Sequence, residues 1–243
     1  VKVFIQSEEN GIPRSQNLFC AYYGFKEMGF EIIPFSHIEQ LNAQAKREDI
    51  VVGHIGAIRQ RLTYLDLPIP ELGYPQELSH YLGRKIWNDT INHINNNPEL
   101  WPVFIKPHEN KRFTGVLVRS PKDLMGCGSD GTDFPVYCSE PVDFVAEWRC
   151  FVRYGKILDV RRYSGNWKSV PDYELIEKVV SKYTSAPNGY GIDFGLTSEG
   201  KTLFLEVNEG YSLGTYGLLP NKYAKLLSAR WAELTGTTDE CNF

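Results

Sequence analysis

Residues 191–208 read Gly-Ile-Asp-Phe-Gly-Leu-Thr-Ser-Glu-Gly-Lys-Thr-Leu-Phe-Leu-Glu-Val-Asn, and this stretch constrains the fold more than any other. Its alternation predicts two strands joined by a tight turn. Ile192, Phe194 and Leu196 alternate with Asp193 and Gly195, and Leu203, Leu205 and Val207 alternate with Phe204, Glu206 and Asn208. Residues two apart in a strand share a face, so Glu206 and Asn208 point together. A turn centred on Glu199-Gly200 places Asp193 directly opposite Glu206, where cross-strand Cβ atoms lie about 4.5–5.5 Å apart. Two carboxylates and an amide oxygen then share one patch, all hard oxygen ligands of the kind Mg²⁺ takes. The competing reading is an ordinary solvated hairpin with an acidic face. Against it, facing carboxylates repel unless a cation lies between them. In addition, Glu209-Gly-Tyr-Ser-Leu-Gly214 follows at once, a Gly-punctuated segment that reads as a loop over a site.

The remaining composition narrows the class. A chain of 243 residues suffices for one large domain or two small ones, and its 42% hydrophobic and 23% charged residues are those of a soluble globular protein. A net charge of −4 without a dense Lys/Arg block gives no electrostatic reason to expect nucleic acid. Five scattered cysteines without a Cys-x-x-Cys pair predict a reduced, cytoplasmic protein rather than a disulfide scaffold or a zinc site. No apolar run approaches the roughly 18 residues of a spanning helix, so no membrane partner is expected. The opening segment turns polar at Gln6-Ser-Glu-Glu, unlike a secretory signal.

Along the chain, strands over 1–6, 30–35 and 50–52 alternate with helices over 17–28 and 38–46, the rhythm of a small parallel-sheet domain. Gly and Pro mark 53–75 as a connecting region, in which His54 and Arg59 lie just past the third strand, where open α/β sheets place ligands. The spacing of Leu78, Tyr81, Leu82, Ile86, Ile91 and Ile94 predicts a helix over 77–95, carrying Arg84 and Lys85. A short apolar strand then ends in Lys106-Pro107, and a polar turn with Lys111, Arg112 and Gly115 leads to a strand at Val116. Lysine beside such a turn is a candidate phosphate cradle, because ammonium groups supply charge and turn N–H groups form an anion-binding concavity. It is not a Walker A loop. Residues 135–142 read as a strand entering a hinge, and 144–152 with 156–162 as a hairpin around Tyr154-Gly155. In that hairpin Glu147, Arg149 and Phe151 share a face, while Arg161 and Arg162 point to opposite faces, and parity does not say which of them faces Asp193. Helices are predicted over 172–183 and 221–234, and 236–243 reads as a loose tail.

In order, these motifs resemble those of the ATP-grasp superfamily of carboxylate–amine ligases, in detail the small Arg/Lys-variant ATP-grasp clade of bacteria and phages. Ser139-Glu-Pro-Val142, Ala146-Glu-Trp-Arg-Cys-Phe-Val152 and Leu205-Glu-Val-Asn-Glu-Gly-Tyr-Ser-Leu-Gly-Thr-Tyr-Gly217 carry the resemblance. It covers about residues 76–220, six motifs in the family's order. It implies an α/β (α+β) ATP-grasp fold preceded by a parallel-sheet pre-ATP-grasp domain over 1–75. Within 76–243, residues 76–138 would form the nucleotide-clamping subdomain and 139–243 the metal and catalytic subdomain. Lys106 matches the lysine on the nucleotide phosphates, Lys85 or Arg84 the upstream basic residue, and the turn from Lys111 to Gly115 the phosphate cover. That turn has one glycine where many relatives have a glycine-rich loop, leaving Lys111 or Arg112 to substitute by charge. Ser139, Glu140 and Val142 match the hinge around adenine, and Glu147 the carboxylate on the ribose. Asp193, Glu206 and Asn208 match the Mg²⁺ ligands. Arg149 and one of Arg161 or Arg162 match basic residues near the transferred phosphoryl group.

The resemblance implies that the chain uses ATP and Mg²⁺ to activate a carboxylate as its acyl phosphate for attack by an amine, on small-molecule or peptide-like substrates. Positioning and charge neutralisation suffice for such phosphoryl transfer, in keeping with the lack of a Ser/His/Asp or Cys/His arrangement in the sequence. A phosphotransferase using the same ATP site and a nucleotide-binding module without catalysis are the alternatives.

Overall fold

In the computed structural model, which describes residues 1–108, 112–127 and 132–243, strand β1 (Val3–Gln6) is central to a parallel sheet. It pairs with β2 (Ile32–Phe35) on one side and β3 (Ile50–Val52) on the other. Val3, Phe4 and Ile5 are all buried, as a parallel strand covered on both faces requires. Helix α1 (Gln16–Glu27) begins where the Ser15 hydroxyl accepts from the Leu18 N–H, and it stops before Gly29, whose φ of +85° suits glycine alone. Helix α2 (Ile38–Gln44) follows β2. The region expected to be a connection after β3 instead contains helix α3 (Ile55–Tyr64). Its glycine lies in the first turn, where it costs little. Ile58 and Leu62 form a buried stripe, and buried Arg61 donates to Asn42 Oδ1 and to the Ala45 and Lys46 carbonyls at the end of α2.

The helix expected over 77–95 is a second difference. A 3₁₀ turn (Gln76–Tyr81) ends before Gly83, which has φ +61°, and strand β4 (Ile86–Thr90) follows. Asn88, Asp89 and Thr90 are weak helix formers, and pairing with a neighbouring strand satisfies the backbone instead. Thr90 then caps a short helix, α4 (Ile91–Asn96). With β5 (Val103–Pro107), β6 (Val116–Val118) and β7 (Pro135–Ser139), β4 forms an antiparallel sheet in the order β4-β7-β5-β6. One face covers a core of Ile91, Ile94, Val103, Ile105, Val118, Val136 and Cys138. Alternation therefore turns Phe104 and Lys106 to the other face.

The rest of the chain builds a second antiparallel sheet from β8 (Phe144–Arg153), β9 (Lys156–Gly165), β10 (Gly189–Thr197) and β11 (Thr202–Glu209), in the order β11-β10-β8-β9. Helices α5 (Tyr173–Lys182) and α6 (Pro220–Thr235) complete it. The described residues divide into two compact units, Val1–Tyr81 with Phe144–Phe243, and Leu82–Asp143. Within the first unit, one buried cluster joins the parallel sheet to α6 and to Phe151, Tyr211 and Leu213, so the N-terminal strands and the β8–β11 sheet share a core. Trp231 of α6 seals it by donating to the Asp49 carbonyl at 2.7 Å.

The tail expected to be loose is held. Asp239 accepts from Arg153 Nη2 (2.6 Å), the Tyr154 hydroxyl (2.9 Å) and the Ser228 hydroxyl (2.6 Å), and Cys241 is wholly buried. Burial alone would raise the Asp239 pKa, but the hydrogen bonds from Ser228, Tyr154 and Arg153 outweigh it and hold the carboxyl below its usual range. A carboxylate depressed in this way stabilises the fold above its unfolded pKa, near 4, and loses that contribution as pH falls through the lower folded value. We therefore expect Asp239→Asn to cost about 3 kcal/mol at pH 7, with the difference from wild type shrinking below about pH 4, measured by urea unfolding across pH. A second expectation concerns the contact between α1 and α6. A Cβ on Gly24 would lie 2.1 Å from the Pro220 carbonyl oxygen, so Gly24→Ala must part the helices. It should lower stability by about 2 kcal/mol in the same assay.

Candidate active site

The β10–β11 hairpin turns on Glu199 rather than between Glu199 and Gly200. Leu196 pairs with Thr202, Gly195 with Leu203 and Phe194 with Phe204. The register then shifts between Asp193 and Phe194, leaving Leu205 as the extra residue of a β-bulge, and Asp193 does stand opposite Glu206. The bulge alters the expected alternation. Phe204 joins Val207 on the buried face, packed against Phe194 with ring centroids 6.4 Å apart. On the other edge of β10, Asp193 is opposite Arg149 of β8, and Arg149 is opposite Arg161 of β9. Four charged residues therefore form one row across the sheet: Arg161, Arg149, Asp193, Glu206. This resolves the ambiguity of the arginine pair. Arg162 pairs with Trp148 on the opposite face and donates to the Gly165 carbonyl, whereas Arg161 lies in the row and donates to Asp159 Oδ2 at 2.6 Å.

At the centre of the row is a buried ion pair. Arg149 Nε and Nη2 donate to the two oxygens of Asp193 at 2.8 and 2.7 Å, and the two side chains are only 9% and 3% exposed. Asn208 Nδ2 donates to Asp193 Oδ2 at 3.0 Å. Burial alone would lower the Arg149 pKa, but the charge and hydrogen bonds of Asp193 hold it above the usual arginine value. The counter-charge that facing carboxylates require is thus supplied, at Asp193, by a guanidinium. Gly191 makes the arrangement possible, since a Cβ there would lie 3.0 Å from Arg149 Cδ and 3.2 Å from Leu213 Cδ2. Over the guanidinium lie the rings of Tyr216 (5.2 Å) and Tyr163 (5.9 Å), stacked on each other at 4.9 Å. Tyr163 also donates its hydroxyl to Glu147 Oε2 at 2.6 Å. Burial, the Asp193 charge and the bond to Glu147 all raise the phenol pKa, so the group stays a donor.

Asp193, Glu206 and Asn208 form a hard-oxygen donor set on one sheet face, which fits Mg²⁺ in kind. Among the described residues no three His, Cys, Asp or Glu side chains gather as a metal cluster, and here the third donor is an amide. The loop after β11 is fastened to the parallel sheet. Ser212 donates to the Gly53 carbonyl (3.1 Å), Thr215 N–H to Asn17 Oδ1 (3.0 Å), and Arg59 Nε to the Tyr211 hydroxyl (3.4 Å). His54 is exposed at the start of α3.

The remaining candidates lie in the other unit. Lys106 is half-buried on the non-core face, paired in register with Tyr137, against which His108 stacks at 3.8 Å. Lys85 is exposed, its ammonium 5.6 Å from the Trp87 ring centroid. Its N–H donates to Glu140 Oε2 (2.8 Å) while the Glu140 N–H donates to the Lys85 carbonyl (3.1 Å), and Ser139 Oγ donates to the Glu140 carbonyl. Val142 is half-buried. Arg84 donates to the Leu82 carbonyl at 3.0 Å. Gly115 lies over Phe104, where a Cβ would meet the ring at 2.3 Å. Lys111 lies outside the described residues.

Sequence reasoning missed Tyr163 and Gly191. Tyr163 shares the parity of Arg161, but a bulge between Glu147 and Trp148 makes it the extra residue of β9, and the sequence does not show that bulge. Gly191 did carry a signal, because glycine inside a strand marks a close approach.

The chain matches the family model of the ATP-grasp domain, R2K clade family 2, over residues 81–226. It belongs to that family. No curated protein matches the chain. Solved structures of similar fold include N5-carboxyaminoimidazole synthetase from Staphylococcus aureus, at 13% identity and TM-score 0.60, covering 98% of this chain and 77% of that one. D-alanine–D-alanine ligase from Bacillus anthracis complexed with ATP matches at 16% identity and TM-score 0.58, over 96% and 95% of the two chains. L-amino acid ligase from Bacillus licheniformis matches at 11% identity and TM-score 0.57, over 96% and 75%. At these identities the likeness establishes the ATP-grasp ligase fold.

Tyr163→Phe keeps the ring stack and removes only the bond to Glu147, so it should cost about 1.5 kcal/mol in urea unfolding. Tyr163→Leu, which also loses the stack, should cost more.

Proposed function

We propose that the chain is an ATP- and Mg²⁺-dependent ligase that activates a carboxylate as its acyl phosphate and joins it to an amine, with amino-acid or peptide-like substrates. The observation that carries this reading is the row Arg161, Arg149, Asp193 and Glu206, with Asn208 beside it, on one sheet face of an ATP-grasp chain. Support for the substrate class comes from the neighbours of like fold, which include a D-alanine–D-alanine ligase, an L-amino acid ligase and a macrocyclase bound with its precursor peptide.

In this reading a carboxylate oxygen of the substrate attacks the γ-phosphorus of ATP and ADP leaves. The amine then attacks the acyl carbon, phosphate leaves, and the amine loses a proton to form the amide. Neither step needs a nucleophilic side chain; both need charge held in place. Mg²⁺ on Asp193, Glu206 and Asn208 would supply Lewis acidity at the phosphate oxygens. Arg161, at the end of the row, binds the substrate carboxylate, a task suited to a guanidinium fork. Arg149 keeps Asp193 ionised and oriented. Lys106 and Lys85, aided by Lys111, neutralise the nucleotide phosphates. Backbone groups at Ser139, Glu140 and Val142 receive adenine. Glu147, one oxygen held by Tyr163, offers the other to the ribose hydroxyls. In the same reading residues 76–138 clamp the nucleotide, 139–243 carry the metal and the chemistry, and 1–75 form the N-terminal pre-ATP-grasp domain.

A cytoplasmic setting suits the five free cysteines, of which four are buried, with burial pushing Cys138 up to about 12. Among the described residues no helix is long and apolar enough to cross a membrane.

Release of phosphate from ATP, screened over pairs of carboxylates and amines, tests the reading. Phosphate and ADP should appear only when both partners are present, and Lys106→Ala or Glu206→Gln should each lower turnover about 10²-fold or more. A stable phosphate ester without free phosphate would instead identify a phosphotransferase. Nucleotide binding without turnover on any pair would identify a binding module.

A further inference from the structure

The proposed metal site already contains a cation of the protein's own. Asp193 spends both oxygens on Arg149, and Oδ2 also accepts from Asn208. The guanidinium cannot lose its proton in any working range of pH. Nor is it loosely placed: Gly191 leaves room for its stem on one side, while Tyr216 and Tyr163 cover its face. Tyr216 holds that position with φ +46°, a left-handed backbone that a tyrosine adopts only when its surroundings impose it. A divalent ion approaching Asp193 therefore meets a fixed positive charge within hydrogen-bond distance of both carboxylate oxygens, and the two cations repel. A polyphosphate changes the balance, because it brings negative charge for the metal and acceptor oxygens for the arginine.

From this we infer that Arg149 is an internal counter-ion that keeps a divalent metal off Asp193, Glu206 and Asn208 in the absence of nucleotide, so that the metal enters only together with ATP. The inference rests on the assignment of these three residues to the metal. It makes Arg149 a positioning residue for Asp193, and it gives the arginine a role in the empty enzyme as well as in turnover.

The probe is Mn²⁺, which shares the octahedral oxygen preference of Mg²⁺ and whose free form is counted by electron paramagnetic resonance. The full chain is titrated with Mn²⁺ and no nucleotide, as wild type, Arg149→Met and the double variant Arg149→Met/Asp193→Asn. Arg149→Met should bind Mn²⁺ at least about tenfold more tightly than wild type, and Mn²⁺ should raise its melting temperature while leaving that of wild type unchanged. The double variant removes the ligand with the counter-ion and should lose the gain. Because Arg149→Met leaves a buried carboxylate unpaired, its melting in the presence of Mn²⁺ is read beside the same-charge control Arg149→Lys, which should fold and still exclude the ion. Equal Mn²⁺ affinity in wild type and Arg149→Met overturns the inference, as does a gain that survives in the double variant. A parallel titration with Mn²⁺ and ATP reports on the functional reading alone: absence of nucleotide binding there removes the ligase proposal without touching the metal-only comparison.

Discussion

The bidentate pair between Arg149 and Asp193 is the interaction around which the β8–β11 sheet is arranged. Two charges withdrawn from water cost several kcal/mol each, and the cost is offset only by near-ideal geometry and by satisfying the remaining polar atoms. The chain supplies both. Strand register puts the residues directly opposite each other, Gly191 clears space for the arginine stem, Asn208 donates to the carboxylate, and two tyrosine rings cover the guanidinium. A buried pair of this kind is weak evidence for stability, since apolar residues of equal volume often serve as well. Its value lies in holding a charged carboxylate in one orientation on a sheet face.

Two β-bulges set which residues reach that face. Without the extra residue Leu205, the turn centred on Glu199 would bring Leu205 rather than Glu206 opposite Asp193. At the second, Tyr163 is the extra residue of β9, and it lies on the side of Arg149 and Glu147, its ring near the guanidinium and its hydroxyl on the carboxylate. A one-residue slip moves every side chain of a strand to its other face. Here the slips are local, so the apolar residues Phe204 and Val207 remain in the core while charged residues line the opposite surface.

Much of this was legible in the sequence. The alternation in 191–208 identified the hairpin and its carboxylates, and the order of motifs identified the family. The parallel N-terminal sheet followed from the spacing of short apolar runs. What the sequence withheld is physically of one kind. Whether 77–95 becomes helix or strand depends on whether a partner strand is present to satisfy its backbone, and β7 lies some fifty residues away. Whether Arg161 or Arg162 joins the row depends on the register of β8 against β9, which parity within one strand cannot fix. The role of Arg149 as counter-ion to Asp193 depends on the β8–β10 pairing between residues 44 apart. The tail at 236–243 has a loop-like composition, yet one buried carboxylate, Asp239, ties it to β8 and α6.

The loop that follows β11 shows how the N-terminal sheet contributes to a site it does not itself form. Asn17 on α1 and the Gly53 carbonyl at the end of β3 hold Thr215 and Ser212, and Arg59 on α3 reaches Tyr211. Gly210 lets the chain pass Gly189 so closely that a Cβ would lie 2.0 Å from its carbonyl oxygen. With both ends fixed, the segment between them has little freedom, and Tyr216 is forced into its left-handed backbone with its ring over Arg149. The strain at Tyr216 is therefore sustained by hydrogen bonds to α1, to α3 and to the residue after β3. This chain of contacts links the parallel sheet, through the loop, to the orientation of Arg149 and thus of Asp193. A substitution at Asn17 that leaves the core intact would reach the charged row by that route alone, through the position of one tyrosine ring.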